Sequence, residues 1–310
     1  MTTRREVLRA AAGAAAAVPA APAQQRPGTP VIGMATTEFR GHSNSALARE
    51  LSAAGLRTIQ LFLTQTDSNY WKYNGRSDLA GLTPARAAEI AAIYRAAGLQ
   101  IHSLGVYTNM IHPEEAERRA NLSYFEAMMR VGDAMGVRAF ITEAGHYRPQ
   151  APEPGGPYHW QEPVWRTMVA TAKELARMAD AHGATVLMEP YFEGFLATAK
   201  RTRVFLEEVG SPRIRALLDP ANLLEVNDLQ EMFDELGPWI DCFHAKDRKL
   251  HVVRGVAAGE GDLDYRKFVR LAAARRPAAP LILEYVGANN YRPALAHLRS
   301  VLRDTGLAGA

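Results

Sequence analysis

The sequence of 310 residues contains a single cysteine, Cys242. One thiol cannot form an internal disulfide, and its isolation excludes a zinc site built from several cysteines. The sequence also lacks any apolar run of the roughly 18–20 residues that a membrane-spanning helix needs, which excludes a polytopic membrane protein. With 47% hydrophobic and 22% charged residues, the composition is that of a globular protein rather than a disordered or fibrous one.

Excess charge is nearly absent as well. The chain has 36 basic and 33 acidic residues, a net charge of +3. Arg4, Arg5, Arg9 and Glu6 all lie in the first 24 residues, and the rest of the chain has 33 basic and 32 acidic residues, a net of +1. This near-neutral body provides no electrostatic basis for binding nucleic acid or an anionic membrane, so we expect neither as a partner.

The first 24 residues have the organisation of an export signal. Arg4-Arg5 is followed by an alanine-rich stretch over residues 10–18 and by the small-x-small sequence Ala21-Pro22-Ala23. A basic start, a weakly apolar middle and such a cleavage site are typical of signal peptides, and the paired arginines resemble the twin-arginine signal of bacteria. We therefore predict a signal peptide over residues 1–24, a catalytic domain over residues 25–310, and a periplasmic location.

From residue 30 onward, short apolar runs alternate with longer helical patterns. The eight runs cover residues 30–34, 57–63, 99–107, 137–142, 184–189, 214–219, 239–245 and 281–285. Their almost continuous hydrophobicity is typical of strands buried on both faces of a parallel sheet. A dinucleotide-binding sheet would require a glycine-rich phosphate-binding turn after the first run, and the sequence has none there. Eight units of about 35 residues predict an α/β fold, a single (β/α)8 TIM barrel.

Three of the predicted strand-to-helix connections are long, over residues 64–82, 143–160 and 247–263. In a TIM barrel such loops lie on the catalytic face, and long loops in compact domains are usually functional. The first two are rich in aromatic residues: Tyr70, Trp71, Tyr73, Tyr147, Tyr158 and Trp160. Aromatic rings can pack on the apolar face of a sugar or can simply anchor the loops, and the sequence leaves both roles open. Trp71 is our candidate for a substrate contact.

Four polar residues end four consecutive predicted strands: Glu189, Asp219, His244 and Glu284. Their spacings of about one strand–helix unit place them at the same end of strands that lie roughly 4.8 Å apart. Buried carboxylates need a positive partner. Each residue alone has a structural explanation, but the set predicts a site for one divalent metal ion. Oxygen donors with one imidazole favour Mn²⁺, with Mg²⁺ or Co²⁺ as further candidates.

Other polar residues near these strand ends are candidate substrate contacts. Lys246 lies two residues beyond His244 and should point to the same side, where it either neutralises a substrate oxyanion or forms part of the solvated barrel rim. Glu193 is a candidate acid/base or a simple loop charge, and His146, after the fourth strand, is a weaker candidate.

These strand ends resemble those of a known family. The segments are Leu187-Met188-Glu189-Pro190, Leu218-Asp219-Pro220-Ala221-Asn222, Phe243-His244-Ala245-Lys246-Asp247, Ile282-Leu283-Glu284-Tyr285 and the acidic, glycine-containing run from Gly259 to Asp264. They resemble the xylose-isomerase-like TIM barrels of sugar phosphate isomerases and epimerases over residues 30–305. The resemblance implies that Glu189, Asp219, His244 and Glu284 hold one Mn²⁺ or similar ion and that the two glutamates also move protons.

Two residues depart from the family pattern. Gln60 lies where many relatives have glutamate, so a contact at the second strand differs. Asn222 lies where some members have a histidine that completes the multi-zinc centre of AP endonucleases and contacts substrate in ketose 3-epimerases. We retain Asn222 as a candidate substrate-binding residue, and its identity argues against a nuclease.

The predicted function is a metal-dependent isomerase or epimerase of an unphosphorylated sugar or keto-sugar. The metal would polarise a carbonyl while Glu189 and Glu284 transfer a proton next to it. Export and the acidic Glu260 argue against a phosphorylated substrate. The same chemistry also fits a lyase or dehydratase that eliminates from a 3-keto-glycoside or keto-polyol, and a non-catalytic sugar-binding barrel is a further alternative. Homo-oligomerisation is left open.

Overall fold

The computed structural model describes residues 30–147, 156–252 and 254–307. Eight parallel strands close into a barrel in chain order, and the first strand pairs with the eighth. This architecture confirms the predicted single (β/α)8 TIM barrel. The predicted signal peptide lies outside the described residues. No helix within the described ranges is both long and apolar enough to span a membrane.

The strands and helices alternate along the chain. The strands are β1 (Ile32–Ala35), β2 (Thr58–Leu61), β3 (Gln100–Gly105), β4 (Ala139–Thr142), β5 (Thr185–Met188), β6 (Ile214–Leu218), β7 (Ile240–Ala245) and β8 (Leu281–Leu283). The helices are α1 (Asn44–Ala53), α2 (Pro84–Ala96), α3 (Glu115–Met135), α4 (Glu162–Ala181), α5 (Ala199–Val209), α6 (Pro220–Leu223), α7 (Leu229–Leu236), α8 (Tyr265–Arg275) and α9 (Tyr291–Asp304). Short 3-10 helices cover Gly156–Trp160 and Gly237–Trp239.

Local sequence signals fix where several helices begin and end. The Thr83 side chain accepts a hydrogen bond from the Arg86 backbone N–H, and Pro84 occupies the first turn of α2, which satisfies one free donor at the helix start. At the C-terminus of α3, Gly136 adopts a left-handed conformation with φ of 76°. Glycine tolerates this conformation without a steric penalty.

Two separate groups of apolar side chains stabilise the barrel. The larger lies between the strands and the surrounding helices, whereas the smaller fills the barrel interior. The interior group takes one side chain from each strand or from the loop just after it: Ala35, Phe62, Tyr107, Ile141, Leu187, Leu217, Cys242 and Ile282. Cys242 is therefore a buried core residue. This layer lies below the site described next, and two of its aromatic rings, Phe62 and Tyr107, also line the cavity of that site.

Candidate active site

A layer of polar side chains lies one step above the apolar floor of the barrel. Because side chains alternate between the two faces of a strand, the residue two positions after each interior residue also faces inward. For β4 to β8 these residues are Glu143, Glu189, Asp219, His244 and Glu284. The strand pairing continues this layer from β4 to β5, since Thr142 pairs with Met188 directly before Glu143 and Glu189.

The four predicted metal ligands converge on one centre. One ligand atom from each of Glu189, Asp219, His244 and Glu284 lies within 4.8 Å of the others. His244 Nδ1 is 3.1 Å from Glu189 Oε1 and 3.3 Å from Glu284 Oε2. Glu189, Asp219 and His244 are buried, and the Glu284 side chain is 13% exposed. The structure therefore brings together the predicted ligand set, which could hold a metal ion.

The Asp219 carboxylate is fixed by the start of a helix. Its Oδ1 accepts a hydrogen bond of 2.9 Å from the Ala221 backbone N–H and so caps α6, with Pro220 in the first turn. This cap is the usual role of aspartate at a helix start. It leaves Oδ2 directed at the centre of the cluster, 3.9 Å from His244 Nδ1.

Gln60 orients the His244 ring. His244 donates its Nε2–H to Gln60 Oε1 over 2.8 Å, because an amide oxygen can only accept, and Nδ1 faces the centre of the cluster. Such a partner on the second ring nitrogen is the usual support of a metal-binding histidine. The contact predicted to differ at the second strand is thus a neutral amide that orients the histidine.

Lys246 lies inside the cluster rather than on the barrel rim. Its Nζ is 2.8 Å from Asp219 Oδ2 and 3.2 Å from Glu284 Oε2, and it donates to Asn222 Oδ1 over 2.9 Å. Asn222 in turn donates through Nδ2 to Glu189 Oε1 over 3.0 Å. The Tyr285 ring lies 4.4 Å from Nζ, and Tyr285 adopts a left-handed φ of 57°. Unusual backbone conformations of this kind cluster at functional sites.

The donor set fits a divalent cation by its charge and by its unpaired atoms. Asp219 Oδ2 and Glu284 Oε2 are buried and accept no hydrogen bond from the described residues, although both lie within ion-pair distance of Lys246. Burial raises the pKa of Asp219 despite that neighbour. Burial alone would lower the pKa of His244, but Glu284 and Glu189 raise it to about 10. Three carboxylates therefore compete for too little positive charge, a deficit that a bound divalent cation would remove.

The cluster lies at the base of a cavity of about 900 Å³. Phe62, Trp71, Tyr73 and Tyr107 form an aromatic wall on the side of β2 and β3, with ring centroids 5.4–6.4 Å apart between neighbours. Tyr107 also donates to Glu189 Oε2 over 2.6 Å. Arg40, Arg248 and Arg254 line the same cavity. Trp71 thus occupies a position from which it can contact a substrate.

Two predicted site residues are not brought to the cavity. Glu193 is exposed and accepts a hydrogen bond from the Tyr191 hydroxyl, and only Tyr191 of this pair lines the cavity. His146 is half-buried, and burial lowers its pKa. Its Nδ1 has no partner within the described parts of the chain, and the residue does not line the cavity.

The described aromatic residues of the second loop pack against other parts of the chain and do not line the cavity. Tyr147 and Tyr158 pair with each other at 6.0 Å, and the Trp160 ring lies 4.7 Å from the Arg201 guanidinium. None of these three lines the cavity of the described chain. Of the described aromatic residues in the two loops, Trp71 and Tyr73 of the first loop line the cavity.

Glu143 is a site residue that the sequence reasoning passed over. It lines the cavity, and its Oε2 accepts a hydrogen bond of 2.7 Å from the Tyr73 hydroxyl. Burial, followed by the charge of Glu189, raises the pKa of Glu143 to about 8. The signal was present in the sequence, because Glu143 follows the interior residue Ile141 by two positions, as Glu189 follows Leu187.

The fold is shared with several solved structures. These include a probable 3-DHS dehydratase involved in petrobactin synthesis from Bacillus anthracis, with a TM-score of 0.70 and 18% identity over 88% of this chain and 98% of that one. A 3-keto-D-glucoside 4-epimerase from E. coli has a TM-score of 0.66 and 16% identity over 87% and 98% of the two chains. D-psicose 3-epimerase from Clostridium cellulolyticum H10, solved with D-tagatose, has a TM-score of 0.66 and 12% identity over 89% and 98%.

Sequence comparison identifies the family directly. No curated protein sequence matches the chain. The family model described as xylose isomerase-like TIM barrel matches residues 48–303, which include all four residues of the Glu189, Asp219, His244 and Glu284 cluster. This chain therefore belongs to the xylose isomerase-like TIM barrel family.

Proposed function

We propose that the protein is a divalent-metal-dependent isomerase or epimerase of an unphosphorylated sugar or keto-sugar. The observation that carries this proposal is the convergence of four ligand atoms within 4.8 Å of one another at the base of a cavity large enough for a sugar. Two of the solved structures with this fold are sugar epimerases by their names. Mn²⁺ is the ion that we propose, with Mg²⁺ and Co²⁺ as alternatives.

We assign the residues of the site to metal binding, proton transfer and substrate binding according to their positions. Glu189, Asp219, His244 and Glu284 would hold the ion, which when bound polarises a substrate carbonyl and stabilises negative charge, an effect worth several kcal/mol. Glu189 and Glu284 are our candidates for removing the proton from the neighbouring carbon. Lys246 and Asn222 lie beside them and are positioned to bind substrate oxygens. Trp71 would pack against the sugar ring.

A lyase or dehydratase is the second candidate. It begins with the same proton removal, and the probable 3-DHS dehydratase has the same fold. The cavity also bears on the substrate. Glu260 does not line it, whereas Arg40, Arg248 and Arg254 do, so its walls do not exclude anionic sugars. A substrate panel therefore needs free ketoses, 3-keto-glycosides, uronates and sugar phosphates.

The direct test combines metal analysis with deuterium exchange. We expect about one divalent ion per wild-type chain, and loss of that ion from Glu189→Gln and His244→Ala but not from the control His182→Ala, whose ring contacts Asp133 away from the cavity. In D₂O, deuterium should enter the substrate carbon next to the carbonyl only with metal present. Epimer formation identifies an epimerase, and an unsaturated product identifies a lyase. Metal-independent binding without exchange would instead indicate a sugar-binding barrel.

A further inference from the structure

Three arginines line the cavity on the side of β7, β8 and β1. Arg40 lies in the loop after β1, and Arg248 and Arg254 lie in the loop after β7. Because β8 pairs with both β7 and β1, these loops are close to one another at the carboxyl ends of the strands. The aromatic wall belongs to the side of β2 and β3, so the cavity has an aromatic side and an arginine side.

The loops that carry the arginines are packed closely against the rest of the site. Gly255 follows Arg254 in the chain, and a Cβ atom at Gly255 would lie 2.9 Å from Lys246 Cδ. Gly287, in the loop after β8, approaches the loop after β1 in the same way, since its Cβ would lie 3.1 Å from the Glu38 carbonyl oxygen. The loops after β7 and β1 are therefore held against the cluster and against the loop after β8.

Arg248 is the buried member of the arginine side, with an exposed fraction of 2%. Its Nε–H donates to the Ala221 carbonyl oxygen over 2.7 Å, and its Nη1 donates to the Val252 carbonyl oxygen over 2.8 Å. The Phe192 ring lies 4.9 Å from the guanidinium carbon. Each of these partners is uncharged, so the contacts fix the guanidinium without neutralising its charge.

Arg40 and Arg254 are exposed, and their side chains form no ion pair or hydrogen bond with any residue that the structure describes. Glu38 lines the same side of the cavity and is also exposed. It forms no ion pair within the described ranges either. The charges of Arg40 and Arg254 therefore face the cavity without a carboxylate of the described chain to neutralise them.

The charge balance of the cavity also favours an anionic ligand. When a divalent ion is bound and His244 is neutral, the ion and Lys246 balance the three carboxylates of the cluster. The other charged side chains that line the cavity are the three arginines, Glu38 and Glu143. The lining thus keeps an excess of at least one positive charge even when both of these glutamates are ionised.

We propose that Arg40, Arg248 and Arg254 form a subsite for an oxyanion group of the substrate, so that the site selects an acidic sugar. Guanidinium groups bind carboxylates and phosphates through paired N–H donors. The inference rests on the proposed function, because it names the class of sugar that the same site accepts, and for an unphosphorylated sugar the group is a carboxylate. The cavity of about 900 Å³ has room for this group beside a sugar ring.

Binding to the metal-loaded protein tests the subsite without turnover. Calorimetry would compare D-glucuronate, D-glucose 6-phosphate and neutral D-glucose. We expect the wild type to bind one of the two anions at least about tenfold more tightly than glucose, the contribution of a hydrogen bond to a charged group. The anion that binds more tightly identifies the group as carboxylate or phosphate.

Arginine variants connect this preference to the subsite. Arg40→Gln and Arg254→Gln should each weaken anion binding by about tenfold, and the double variant should bind the anion no better than glucose. Metal content and glucose affinity should not change. Arg177→Gln is the matched control, because Arg177 is exposed on α4 and does not line the cavity.

Two results would overturn the proposal. Equal affinity for the charged and neutral sugars, or no binding of either anion, would exclude an oxyanion subsite. An anion preference that is undiminished in the double variant would place the anion on the metal or on Lys246 instead. Neither result affects the proposed function, which metal analysis and deuterium exchange test separately, and absence of exchange with an intact anion preference would refute that function alone.

Discussion

The two halves of the barrel mouth stabilise buried polar groups in different ways. On the side of β5–β8, three carboxylates share an imidazole and the Lys246 ammonium within ion-pair distance. On the side of β2–β4, Gln60, Tyr73, Tyr107 and Glu143 form hydrogen bonds that link them to the cluster or to each other, among packed aromatic rings. The ionic half, on the side of β5–β8, is short of positive charge and suits a metal, whereas the half on the side of β2–β4, with its aromatic rings, suits the binding of a sugar ring.

Removal of the cation in the ionic half should have the largest effect on stability. Lys246→Met leaves Asp219 and Glu284 without their ammonium partner, and breaking a buried ion pair costs about 3–5 kcal/mol. We expect the metal-free variant to lose most of this in free energy of unfolding, and a saturating divalent cation to restore much of it. Thermal unfolding with and without Mn²⁺ measures both. The exposed Lys249→Met should change neither, and a metal-free Lys246→Met as stable as wild type would contradict the ionic description.

An intermediate effect, on metal affinity, is expected at Gln60, which links the two halves of the barrel mouth through His244. Gln60→Met keeps the side-chain volume but removes the acceptor for the His244 Nε2–H. Loss of such a partner weakens metal binding by about 10–100-fold. Titration calorimetry of the metal-free protein provides the dissociation constant. Gln60→Glu keeps an acceptor and should bind metal at least as tightly as wild type, so equal weakening in both variants would show that the residue acts by packing alone.

The smallest expected effect is a change in KM, and it should occur for the first aromatic loop but not for the second. Trp71→Ala removes a cavity-lining ring and should raise KM by up to about tenfold with little change in kcat, since a ring contact contributes about 1 kcal/mol. Trp160→Ala removes a ring that lies over Arg201 outside the cavity, and we expect no change in KM. Steady-state kinetics on the accepted substrate compares the two. An equal effect of both changes would mean that the second loop also reaches the substrate.

Much of the barrel and the convergence of the four polar residues at its mouth could be predicted from the sequence because both follow from short-range rules. Each strand is one apolar run, and each of Glu189, Asp219, His244 and Glu284 ends such a run within one layer. The strand limits were the least accurate part: the third predicted run extends to Tyr107, while β3 ends at Gly105. Glu143 was missed because the fourth predicted run ends at Thr142, although the inward alternation of the strand continues to Glu143.

The remaining features depend on distance through space rather than along the chain. Nothing in the sequence indicates that Lys246 is buried between two carboxylates, that Gln60 on β2 orients a histidine 184 residues away, or that one aromatic loop faces the cavity while the other holds an arginine. Hydrophobic periodicity determines which residues form strands and which side of each strand faces inward, because both repeat locally. Which polar groups then neutralise one another is decided only when the barrel closes and removes them from water together.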